Sequence, residues 1–191
     1  GPAPTRVFQV RDAYLVIEEA DGLTVIDQHA LHEKILYEEI LEARERGDLR
    51  QPLLVPETVE LTPEEFQLFV DHQEALADLG LEGEEFGDGV VALRALPAGF
   101  QRGGAALLHQ ALEQLRASRG SGNEEVDLRD RLVATMACKR AVKAGQHLGP
   151  AQQLDLVRGR ARAFQPQNCP HGRPAELFIS WEELDRRFDR K

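Results

Sequence analysis

Tyr14-Leu15-Val16-Ile17-Glu18-Glu19-Ala20-Asp21-Gly22-Leu23-Thr24-Val25-Ile26-Asp27-Gln28-His29-Ala30 is the stretch that decides the fold. Two runs rich in aliphatic residues, Tyr14 to Glu19 and Leu23 to Asp27, flank Asp21-Gly22. That pair predicts a two-residue hairpin turn, because glycine tolerates the positive backbone angle such a turn demands. Tyr14-Leu15-Val16-Ile17 is apolar at successive positions, so both faces of its strand are expected to be buried. Arg6 to Val10 adds a third short strand, separated by Arg11-Asp12. After Asp27 the period changes. Ala30 to Arg46 contains no proline or glycine, places Leu31, Ile35, Leu36 and Ile40 at helical spacing, and stops at Gly47.

Further along, Gln51-Pro52-Leu53-Leu54-Val55-Pro56 reads as extended, since each proline biases its predecessor away from helix. Thr62-Pro63-Glu64-Glu65 offers an N-cap, a first-turn proline and acidic residues for the helix dipole, opening a helix to about Leu79. Strands around Leu81 to Phe86 and Val90 to Leu96 follow, then a helix from Gly104 to Ser118. Arg119-Gly120-Ser121-Gly122-Asn123 is the most linker-like stretch. Helices from Asp127 to Ala144 and from Pro150 to Ala163, a strand from Ala175 to Ser180 and a helix from Trp181 to Arg190 complete the chain. The expected fold is α+β with two subdomains: residues 3–56 and 127–191 form one unit, and 57–126 are inserted as a mostly helical outer lobe.

The 191 residues suffice for one sizeable domain or two small ones, with 42% hydrophobic and 29% charged residues, which excludes wholesale disorder. No apolar stretch approaches the ~20 residues of a membrane-spanning helix. No basic-then-apolar segment opens the chain, so a secretory signal is not expected. Gly1-Pro2 resembles a cloning scar, and a longer parent protein is expected. Two cysteines cannot form a disulfide framework, and a cytoplasmic setting follows. The formal net charge of -10 argues against binding nucleic acid through bulk charge. Residues 1–126 hold 25 acidic and 10 basic side chains, and residues 127–191 hold 8 acidic and 13 basic, so a polyanion should prefer the last third.

Asp27 to Glu33 lies where a buried strand becomes a helix, and His29 and Glu33, four residues apart, share a helix face. That is the spacing by which a helix offers two ligands to one cation. The alternative is a capped helix start with a surface ion pair. Glu38 points elsewhere and suits a salt bridge or a supporting contact beside the site. In Cys169-Pro170-His171-Gly172-Arg173-Pro174 the prolines forbid helix, and Cys169 and His171, two apart in an extended chain, can grip one cation together. Cys138 adds a candidate ligand from a helix. Burial of the cysteines as small apolar residues, or one disulfide, is the competing reading. If Asp27, Glu33, Cys138 and Cys169 are ionised and the histidines neutral, two divalent cations would cancel the charge. Paired metals suit phosphodiester hydrolysis.

Asp27-Gln28-His29-Ala30, with Glu33 and Glu38 at their spacings, resembles the endonuclease signature of the MutL mismatch-repair family. Ala137-Cys138-Lys139, Cys169 to Pro174 and Phe188-Asp189-Arg190 follow in the family's order across almost the whole chain. The resemblance implies a homodimeric carboxy-terminal region that nicks duplex DNA, with the ATP-binding region outside this chain. It implies His29, Glu33, Cys138, Cys169 and His171 as metal ligands for Zn2+ or Mn2+, and Asp27 as an essential acidic residue beside Glu33. Lys139, Arg173 and Arg190 are weaker candidates for steadying phosphate or the site. Lys139 stands where the family often has Arg, so bidentate phosphate geometry is lost. Gln51, Leu53, Leu54 and Pro56 are similar to the family's sliding-clamp motif, although an edge strand is the plain alternative for such a hexapeptide. The mismatch-recognition protein is an expected partner through the full-length protein, and the expected location is cytoplasmic, at the nucleoid. A non-enzymatic dimerisation module with structural zinc is the alternative function.

The remaining histidines and aromatics read plainly. His72 and His109 are expected in surface or packing roles, and His32 beside the site rather than in it. Arg158, Arg160 and Arg162 are expected on a solvated face, with guiding DNA as the alternative, and Trp181 in the core or a dimer interface.

Overall fold

The computed structural model describes residues 6–119, 124–161, 163 and 175–190, without the side chains of 124, 125 and 127. Packing divides the chain into two compact units, Gly1–Glu38 with Ala137–Lys191, and Glu39–Met136. The divisions drawn from sequence stand at 56/57 and 126/127.

The first unit is built on an antiparallel sheet of β1 (Arg6–Val10), β2 (Tyr14–Glu18), β3 (Gly22–Asp27) and β7 (Glu176–Ser180), in the order β1-β2-β3-β7. Leu15 and Ile17 of β2 and Ile26 of β3 point to one face, where they pack with Leu31 of α1 (Gln28–Glu45) and with Leu148, Leu156 and Val157 around α6 (Pro150–Arg160). Alternation then sends Phe8, Tyr14, Val16, Val25 and Leu177 to the other face. Phe8, Tyr14 and Leu177 are 48%, 43% and 64% exposed, so within one chain the apolar run of β2 has one buried face, not two.

Arg11 and Asp12 carry the positive φ angles, 54° and 48°, of the β1–β2 hairpin. The β2–β3 turn runs differently from the sequence expectation. Its tip is Ala20-Asp21, closed by Glu19 N–H donating to the Gly22 carbonyl at 2.9 Å, while Gly22 lies inside β3 without a positive φ. The glycine is required there for space: a Cβ would sit 2.3 Å from the Ile179 carbonyl and 2.7 Å from the Phe178 ring of β7. α1 starts two residues before the expected Ala30 and closes at Gly47, whose φ of 74° accompanies Gly47 N–H to Arg44 O and Asp48 N–H to Ala43 O bonds.

The second unit pairs a three-stranded antiparallel sheet, ordered β4-β6-β5, with helices. These are β4 (Arg50–Glu60), β5 (Glu82–Gly87) and β6 (Val90–Pro97), with α2 (Pro63–Asp71), α3 (Gln73–Asp78), α4 (Gly104–Ser118) and most of α5 (Glu124–Arg140). Thr62 and Glu65 form a capping box around Pro63, as the sequence predicts. The helix expected to reach Leu79 breaks at His72, which leaves the helical region at φ -122°, ψ 20°. Among the described residues no helix is long and apolar enough to cross a membrane.

Candidate metal centre

The junction of β3 with α1 is fixed by its own side chains. Asp27 Oδ1 accepts from His29 N–H at 2.9 Å and Ala30 N–H at 3.0 Å, an N-cap that satisfies two amides the helix leaves open. With α1 started there, His29 and Glu33 rise on one face, His29 Nε2 3.6 Å from Glu33 Oε1. Glu33 is 1% exposed, so this is no surface ion pair. Cys138, in the last turn of α5, completes a group in which one donor atom of each residue lies within 4.8 Å of the others.

The imidazole is oriented from behind. His29 Nδ1 is 2.8 Å from the Val142 carbonyl, which can only accept, so Nδ1 carries the proton. In the neutral ring Nε2 then presents a lone pair towards Glu33 and Cys138. Nitrogen, oxygen and sulfur donors together suit a borderline metal such as zinc, and the donor set fits such an ion.

α5 ends at Arg140 rather than at Ala144, and the reason lies in this site. In a continuing helix Val142 N–H would bond the Cys138 carbonyl. Instead Val142 N–H donates to His32 Nδ1 at 3.0 Å, and Lys143 Nζ donates to the Cys138 carbonyl. Burial first, then the nearby charge of Arg140, holds His32 below the usual histidine range, in the neutral form that can accept at Nδ1. Lys143 to Gln146 then turns back, closed by Gln146 N–H to Lys143 O at 3.1 Å with Gly145 at φ 87°.

Asp27 is committed through one oxygen to the helix cap and is outside the three-residue group. Lys139 and Arg190 are exposed, Arg190 lying 5.9 Å from the Phe188 ring. Cys169, His171 and Arg173 lie outside the described residues. Glu38 pairs with Lys34 at 2.8 Å, the salt bridge its position predicts. His109 Nδ1 lies 3.0 Å from Glu65 Oε1, within the second unit. Arg160 is not on a solvated face. It is half-buried, bonded to Glu19 at 2.8 Å and Glu176 at 2.7 Å, while Arg158 is exposed and Arg162 is outside the described residues. Trp181 is half-buried, its Nε1 donating to the Ala20 carbonyl at 3.2 Å, and is not a core residue. Gln51 and Leu53 are half-buried and Leu54 is fully exposed, on a β4 segment whose register slips between Pro52 and Glu57. What the sequence could not reveal is Val142, which acts through backbone atoms alone, and the partners of Gln28.

Residues 7–148 match the family described as the MutL C terminal dimerisation domain. The chain belongs to the MutL family. It is similar to the DNA mismatch repair protein MutL of Gemmatimonas aurantiaca, 39% identical across 97% of this chain and 30% of that protein. MutL of Acidobacterium capsulatum is 34% identical across 95% of this chain and 28% of its own length. MutL of Methanothrix thermoacetophila is 33% identical, with 97% and 33% covered. The chain therefore spans about a third or less of these MutL relatives, as their carboxy-terminal domain. A MutL dimerisation domain is a homodimer-forming element, and His29, Glu33 and Cys138 all lie within the matched residues.

Proposed function

We propose that this chain is the metal-dependent nicking endonuclease region of a mismatch-repair protein. The observation that carries it is the convergence of His29, Glu33 and Cys138 on a capped strand-to-helix junction, with His29 held in the tautomer that offers Nε2. His29, Glu33 and Cys138 would hold a divalent cation there, which would supply an activated water and charge stabilisation for the leaving oxygen of a phosphodiester. The protein's part is to present ligands without rearrangement. Asp27 fixes the start of α1 and Val142 fixes the imidazole, while Glu33 brings a buried carboxylate to the group. Cys169 and His171 would complete the ligand set, accommodating a tightly held Zn2+ and a Mn2+ in support of chemistry. Lys139, Arg173 and Arg190 would steady phosphate.

The homodimer forms through the open face of the β1-β2-β3-β7 sheet, where Phe8, Tyr14 and Leu177 are exposed in the single chain. An apolar sheet face in a dimerisation family is best covered by a second copy of itself. The sliding clamp binds at Gln51, Leu53, Leu54 and Pro56. There Pro52 pairs with Ala95 and Glu57 with Leu93, so four residues bulge opposite Arg94 and leave Leu54 and Val55 outside. Duplex DNA is held weakly by this region alone, given the net charge of -10, and is delivered by the clamp and the mismatch-recognition protein.

The test is nicking of supercoiled plasmid with manganese and clamp. Asn at position 27 retains helix capping, so Asp27→Asn should stay folded and lose activity. Equally little nicked product from both proteins would refute the enzyme reading, and equally abundant product would remove Asp27 from the reaction. A structural-zinc dimerisation module is the second reading, favoured by the thiol in the group and by Asp27 being engaged as a cap.

A further inference from the structure

We infer that Gln28 is a positioning residue for His29, gripping the Lys143–Gln146 turn so that the preceding Val142 carbonyl meets His29 Nδ1; this rests on His29 being a metal ligand. Gln28 is fully buried on the first turn of α1. Its Nε2 lies within hydrogen-bond distance of three carbonyls, Asp12 at 2.8 Å, Gln146 at 3.0 Å and Lys143 at 3.1 Å, which share its two N–H groups, and its Oε1 accepts from Gln9 Nε2 at 2.6 Å.

Each of those carbonyls already has another donor. Gly145 N–H bonds Asp12 O, Gln146 N–H bonds Lys143 O, and Gln9 Nε2 bonds Gln146 O. Gln28 is therefore not needed to satisfy them. What it adds is convergence: one amide holds the β1–β2 hairpin and both ends of the turn at a single point. Two adjacent residues of α1 thereby meet two adjacent residues after α5, Gln28 on Lys143 and His29 on Val142. Loss of the first contact frees the second, and the imidazole can then rotate or carry its proton on Nε2, the atom required for ligation.

The experiment compares wild type with Gln28→Met, of similar length but without polar atoms, and with Gln9→Met, which removes the donor holding Gln28. Zinc affinity is measured by chelator competition, and the tautomer of His29 by long-range nitrogen–proton spectra of the metal-free protein. Gln28→Met should bind zinc about 10- to 100-fold more weakly, with His29 losing its preference for the Nδ1–H form. Gln9→Met should shift both in the same direction by less. Wild-type affinity and an unchanged tautomer in folded Gln28→Met would overturn the inference. If Gln28→Met does not fold, the same null result in Gln9→Met overturns it. A wild type that binds no zinc refutes the metal reading, whereas the tautomer spectra still decide whether Gln28 positions the ring.

Discussion

Val142 N–H donates to His32 Nδ1 at 3.0 Å, in place of the helical bond to Cys138, and so ends α5 one turn before its sequence pattern does. The same residue's carbonyl meets His29 Nδ1 at 2.8 Å. One peptide segment is thus held by two histidines on successive turns of α1. His32→Leu should leave a half-buried amide without its acceptor, costing about 1–3 kcal/mol. Urea denaturation of metal-free protein measures this, and unchanged stability would show that His32 is not what stops the helix.

Arg160 joins α6 to the β2–β3 turn through Glu19 and to β7 through Glu176. The Arg160 hydrogen bond holds the Glu19 carboxyl below the usual glutamate range, outweighing burial, with Thr24 adding to it. A depressed carboxylate contributes stability that is full above its unfolded value and is lost as pH falls through the folded one. Arg160→Met should cost about 2 kcal/mol near neutral pH. Glu19→Gln should flatten the acid limb of stability below about pH 4.5. Parallel acid limbs in wild type and Glu19→Gln would exclude this linkage.

Gly22→Ala places a methyl against the Ile179 carbonyl and should loosen β7 from β3, at about 1–3 kcal/mol. Hydrogen exchange should speed at β7 amides while β1 and β2 stay protected. Uniform protection across the sheet would contradict the steric account.

Phe8→Glu with Leu177→Glu puts charge on the open sheet face without touching the core of the single chain. Sedimentation should show monomers of native helix content. A dimer that survives both changes lies on another face.

Replacing Gln51, Leu53 and Leu54 together with Ala should abolish stimulation of nicking by the clamp, with metal content and dimer intact. Stimulation equal to wild type would move the clamp site elsewhere.

The β-hairpins and α1 were legible because their causes are local: apolar runs, Arg11-Asp12, and a helix pattern that stops at Gly47. Local sequence places Gly22 in the turn, whereas its real constraint, the Ile179 carbonyl, lies on a strand remote in sequence. The end of α5 is invisible in its own sequence for the same reason, since His32 is supplied by α1. His29 and Glu33 could be paired from their spacing. Asp27 as helix cap was equally readable, but the backbone carbonyl that orients His29 has no residue type to announce it.

Zinc binding by the metal-free chain tests the centre most directly, by chelator competition on wild type and on Cys138→Ser, His29→Ala and Glu33→Gln. Each variant should keep its dimer and bind zinc at least about 10-fold more weakly, since each loses one donor atom, and wild-type affinity should weaken towards acid as imidazole and thiolate take up protons. Wild-type affinity in all three variants would contradict a metal centre on these residues.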